Sequence, residues 1–149
     1  YFTGLKNKAM NEPIDALIYM ITVALGFSAV ENTIFLLGNE TFLQTLLTGN
    51  MRFFGATLLH ILASSIIGGA IALSFYKSKI KKAIYILIGF ILASTLHSLF
   101  NIYIMNVSEK ILFIFSIVWI GIVVLIIFFE FIKRKQRERS FIRNHYKNK

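Results

Sequence analysis

Three ionisable side chains of this chain fall inside long apolar runs. Glu31 lies in Leu25-Gly-Phe-Ser-Ala-Val-Glu31-Asn32, His60 in a second run and His97 in a third. A charged group in the bilayer core costs about 2.5 kcal/mol or more on insertion scales, so it faces a bundle interior and takes a partner. A carboxylate and two imidazoles support several chemistries. They suit a catalytic zinc that keeps an open position for water, with His60, His97 and Glu31 as ligands. Without a metal, the same groups can hold a water, take its proton and stabilise an oxyanion. Two facing histidines can also ligate a haem, but a carboxylate at the same level speaks against that. Asn101, one turn from His97, can donate its amide to an oxyanion or simply pack helices. Asn32 sits beside Glu31. Ser64, one turn from His60, reads as a packing hydroxyl rather than a nucleophile. The competing reading of the whole set is structural, a polar layer that bonds helix to helix.

The elements that carry these residues follow from hydropathy. The chain has 149 residues, 56% of them hydrophobic, and a single proline. Its mean hydropathy is +0.70. Four long apolar runs in so short a chain mark an integral membrane protein, all-α and polytopic. The spans are expected at about 13–37, 52–76, 83–105 and 111–132, with a basic cytoplasmic tail over 133–149, mobile and lying on anionic lipid. Glu12-Pro13-Ile14-Asp15 reads as a helix start, with proline at the first position and acidic groups at the positive end of the dipole. Between the first two spans, Phe42, Leu43, Leu46 and Leu47 recur at helical spacing and suggest a short interfacial helix. There is no cysteine, which excludes disulfide and thiolate chemistry.

The net charge of +9 does not point to nucleic acid, because the basic residues sit between and after the apolar runs. With both termini and the Lys77–Lys82 loop in the cytoplasm, 14 of the 16 Lys and Arg lie inside, and only Arg52 and Lys110 lie outside. Helical rise then places Glu31 roughly 9 Å, and His60 and His97 roughly 12 Å, below the outer boundary. Three helices thus bring their polar groups to one layer. Small and polar residues share faces with them: Ala24, Ser28 and Glu31/Asn32 on the first span; Ala56, His60, Ser64 and Gly68 on the second; Gly89, Ala93, His97 and Asn101 on the third. Such stripes pack helices in lipid. The fourth span has only Ser116, Trp119 and Gly121 as relief and reads as peripheral and mostly lipid-facing.

Phe27-x-x-x-Glu31 followed by Asn32, His60-x-x-x-Ser64 and His97-x-x-x-Asn101 resemble three of the four motifs of the PrsW family of intramembrane proteases, whose wider superfamily includes the CAAX-type prenyl endopeptidases. The Asn11-Glu-Pro-Ile-Asp15 lead-in and Gly26-Phe27 are also similar. The resemblance covers about residues 11–105. It implies cleavage of membrane-anchored proteins, including anti-sigma factors, near the outer membrane face, in regulated proteolysis in a bacterium. It implies Glu31, His60, His97 and Asn101 as catalytic residues, with Asn32 and Ser64 in support. The family's first motif, Glu-Glu-x-x-Lys, has no counterpart in residues 1–10, which carry no acidic side chain. It is expected on at least one further span upstream, since the chain begins at Tyr1 without methionine and reads as a fragment. A fragment lacking that carboxylate pair is expected to be inactive by itself. The alternative from another class is a non-catalytic membrane scaffold or immunity-type protein.

Overall fold

The computed structural model describes residues 10–38, 41–106 and 111–147. Lys6, Lys8 and Lys110, on which the charge asymmetry partly rests, lie outside the described residues, as does most of the N-terminal stretch lacking the Glu-Glu-x-x-Lys motif. The described residues contain no strand. The elements are α1 (Pro13–Leu37), α2 (Phe42–Arg52), a π-helical turn (Phe53–Thr57), α3 (Leu58–Ser74), α4 (Lys79–Asn106) and α5 (Ile111–Lys147). Four helical stretches are long and apolar enough to cross a membrane: Pro13–Leu37, Phe42–Ser74, Lys79–Ile102 and Phe115–Arg139. The chain is an all-α polytopic bundle.

Local chemistry sets the helix starts. Pro13 opens α1, and the Asp15 carboxylate accepts from the backbone N–H of Glu12 at 2.8 Å and of Asn11 at 3.0 Å. Those donors would otherwise be orphaned at the helix end. Thr41 and Gln44 form a reciprocal capping box on α2, with bonds of 3.3 and 3.2 Å. The expected short helix thus begins at Phe42, but it does not stop before the second span. With no proline between Phe42 and Ser74, α2 runs through the π turn directly into α3.

Helix α3 is the hub, with α1, α4 and α5 packed around it. Glycines permit the close approaches. A Cβ on Gly68 would lie 3.0 Å from Leu17 Cα and 3.1 Å from the Ala16 carbonyl oxygen, so α1 and α3 meet backbone to backbone. A Cβ on Gly89 would lie 2.7 Å from Ala70 Cβ, which fixes α4 against a neighbouring face of α3. Helix α5 is less peripheral than its sequence suggests. Gly121 receives Leu62, Phe128 covers Gly69, and Val118 joins Leu59 and Phe100 in a buried cluster. Its outer residues, such as Val123, Ile126 and Ile127, remain exposed as a lipid-facing surface requires.

The basic segment after Ile132 is not a loose tail, because α5 stays helical through Lys147. Residues 133–147 are rich in Lys, Arg, Gln and Glu and contain neither Gly nor Pro, so propensity favours continuation. Gln136 hydrogen-bonds the Glu12 carboxylate, and the Arg139 guanidinium lies 5.0 Å above the Tyr76 ring. The segment thereby packs across the ends of α1 and α3.

Two gaps remain around α3. Between α4 and α5 lies an apolar cavity of about 570 Å³, bordered by Gly69, Gly89, Leu92, Gly121 and Val124. On another face of α3, α1 and α4 barely touch. There an open groove of about 340 Å³ runs over the α3–α4 seam, and His60 and His97 line it.

Candidate active site

The polar residues of α1, α3 and α4 meet beside that groove. Ala24 and Ser28 bury one face of α1 against α3, and this turns Glu31 and Asn32 toward the start of the α3 helix. Glu31 Oε2 lies 2.9 Å from His60 Nε2. The His60 ring is buried, and its centroid is 5.0 Å from that of His97 with the planes tilted by 39°. Phe27 meets His60 edge-on at 5.1 Å. Asn101 Nδ2 donates to His97 Nδ1 at 3.3 Å, so a neutral His97 carries its proton on Nε2. The three ionisable groups placed in one layer by counting thus sit side by side.

The strongest electrostatic contact comes from a residue that the sequence marks only as an outside cation at the start of the second span. Arg52 donates through Nη2 to Glu31 Oε2 at 2.6 Å and through Nε to Asn32 Oδ1 at 2.8 Å. Its guanidinium also lies 3.7 Å above the Phe35 ring. One planar cation therefore grips two adjacent residues of α1 and stacks on a third, which a lysine cannot reproduce. Asn32 passes the connection on: its Nδ2 donates to Thr57 Oγ1 at 2.9 Å, and Ser28 Oγ donates to the same hydroxyl at 2.9 Å. The π turn lies between Arg52 and His60, and such turns concentrate at functional sites. The sequence did contain a signal for Arg52. It is one of only two basic residues expected outside, and it lies two turns before His60 on the same helical run. Thr57, one residue type among many in the span, gave none.

The remaining candidates divide. Asn32 is bonded to Arg52 and Thr57, away from the groove. Asn101 touches His97 alone among the site residues. Ser64 lines the groove beside both histidines without bonding either. Glu12 and Asp15 belong to the helix cap and not to the site.

A model of the PrsW family of intramembrane metalloproteases matches residues 1–130. The chain belongs to the PrsW family. No curated protein and no solved structure matches it. PrsW membership makes this cluster of Glu31, His60 and His97 a candidate centre of an intramembrane protease, and it brings a metal into consideration. The donor types, two imidazoles and a carboxylate, are those of zinc. The facing rings of His60 and His97 offer two such donors. Among the described residues, however, no three His, Cys, Asp or Glu side chains are grouped to hold an ion. Glu31 Oε2 is engaged by Arg52 and His60 instead.

Proposed function

We propose that this PrsW protein is an endopeptidase that cleaves membrane-anchored proteins, anti-sigma factors among them, within the outer half of the bilayer. Both ends of the chain lie in the cytoplasm in this reading, as the distribution of Lys and Arg favours. The observation that carries it is the convergence of Glu31, His60 and His97 from three helices, with the two imidazoles lining an open groove. Packing alone does not require a carboxylate and two imidazoles at the edge of a cavity.

In this reading Glu31 and His60 act as a pair. The carboxylate orients the imidazole, and together they take the proton from an attacking water. Arg52 holds Glu31 in place and is a positioning residue. His97, with Nδ1 accepting from Asn101, presents Nε2–H toward the oxyanion that develops on the scissile carbonyl. Asn101 then acts through His97 rather than on the oxyanion itself. Zinc, if the full protein carries it, would be held by His60 and His97 in place of the roles just given to their ring nitrogens, and would supply Lewis-acid polarisation of the carbonyl.

The test is cleavage of an epitope-tagged, membrane-anchored substrate by the full-length protein. Glu31→Gln, His60→Ala and His97→Ala are each expected to abolish cleavage while leaving the protein inserted. Retained activity in all three overturns the reading. Loss of stability without specific loss of cleavage instead supports the scaffold alternative.

A further inference from the structure

The groove beside His60 and His97 has a wall that the catalytic roles do not use. Ser64 lies one turn beyond His60 on α3, and Ser94 and Ser98 flank His97 on α4; all three line the groove. Four serine and threonine hydroxyls elsewhere in the spans are satisfied by their own helix. Thr22 bonds the carbonyl of Ile18, Thr33 that of Ala29, Ser74 that of Ala70 and Ser116 that of Leu112, at 2.7–2.9 Å. Among the described residues, Ser64, Ser94 and Ser98 have no such bond and no other partner. Three unpaired hydroxyls therefore open onto one groove at membrane depth, next to two imidazoles.

The chemistry of cleavage in lipid supplies a use for them. A peptide bond within a membrane span becomes accessible to attack only when the helix around it opens. Opening frees N–H and C=O groups that hydrocarbon cannot satisfy. A hydroxyl can donate and accept, so it can bond either group. The spacing fits as well. Ser94 and Ser98 stand about 6 Å apart along α4 by helical rise. Backbone groups that point to one side of an extended peptide recur every two residues, at about 6.6 Å.

Building on the protease reading, we propose that the groove over the α3–α4 seam receives the scissile stretch of the substrate span in unwound, extended form. Ser64, Ser94 and Ser98 supply the hydrogen bonds that the substrate helix gives up. The preferred substrates are then single spans weakened by Gly, Pro or polar residues in their outer half. The apolar cavity between α4 and α5 offers a substrate one serine hydroxyl, that of the buried and unpaired Ser65, and no histidine.

The chain has no cysteine, so a single introduced one reports position cleanly. In the full-length Glu31→Gln protein, Ser94→Cys and Ser98→Cys are expected to form disulfides with cysteines placed around the cleavage point of a single-span reporter. Val124→Cys, in the α4–α5 cavity, is expected to form none. With Glu31 intact, combining Ser64→Ala, Ser94→Ala and Ser98→Ala is expected to lower kcat/KM tenfold or more, while a Gly-Gly pair in the outer half of the reporter raises cleavage by the wild type. No cleavage of any reporter by the wild type overturns the protease reading and this inference with it. Wild-type cleavage together with crosslinking through Val124→Cys, crosslinking of Ser94→Cys to a second copy of the chain, or undiminished cleavage by the triple variant overturns the groove assignment alone.

Discussion

Arg52 provides the sharpest test of how the site is held. Replacing it by alanine removes the 2.6 Å bond to Glu31, the 2.8 Å bond to Asn32 and the stacking on Phe35 together. A hydrogen bond to a charged group contributes about 1.5–3 kcal/mol. A cation over an aromatic face at a partly exposed site adds about 0.5–1 kcal/mol. The Arg52 and Glu31 side chains keep 16% and 30% of their exposure, so water or headgroups will replace part of what is lost. A net cost of about 2–3 kcal/mol is expected, enough to let Glu31 leave its place against His60. If that placement limits the reaction, about 1.4 kcal/mol per decade gives a fall in kcat/KM of about 30- to 140-fold. Arg52→Lys keeps the charge but cannot reach Glu31 and Asn32 at once, so it should fall between wild type and Arg52→Ala. The assay pairs cleavage of a membrane-anchored reporter with thermal unfolding in detergent. Glu31→Gln serves as the inactive control. If Arg52→Ala cleaves and melts like the wild type, the ion pair does not position the site.

Other expectations follow from single contacts. Thr57→Val removes the hydroxyl shared by Ser28 and Asn32 and should cost about 1–3 kcal/mol of stability, while Thr57→Ser should recover most of it; unfolding in detergent reads both. Gly68→Val should destabilise the bundle by about 1–3 kcal/mol or prevent folding, because its Cβ meets the α1 backbone, whereas Gly26→Ala, with nothing within 4 Å, should leave unfolding unchanged. Asn101→Leu should lower kcat more than it raises KM, because it releases His97 Nδ1, and Asn101→Asp should not restore the wild-type rate, because a carboxylate cannot donate to Nδ1. Truncation before Gln136 should reduce stability measurably, because it removes the contacts to Glu12 and Tyr76, whereas a loose tail could be lost without effect.

Much of this protein was legible one helix at a time. Hydropathy marked four apolar helices because a span must satisfy its backbone within itself, and that demand writes a long apolar run. The Glu12–Asp15 cap was legible because capping is chemistry between neighbours in the chain. The common layer of Glu31, His60 and His97 followed from counting residues from span ends, since helical rise is fixed. What sequence could not supply was rotation and choice of partner. The stripe of His60 and Gly68 faces α1, and α4 takes the adjacent face through Ala70; a periodic pattern marks such faces but does not say which helix covers each. Arg52 read only as an outside cation at the start of the second span because its partners lie about twenty residues away, across a helix pair whose crossing no local pattern encodes. The π turn that separates it from His60 has no sequence signature of its own. Only the packing of α1 and α4 on two faces of α3 decided that the histidines line an open groove and that three serine hydroxyls share it.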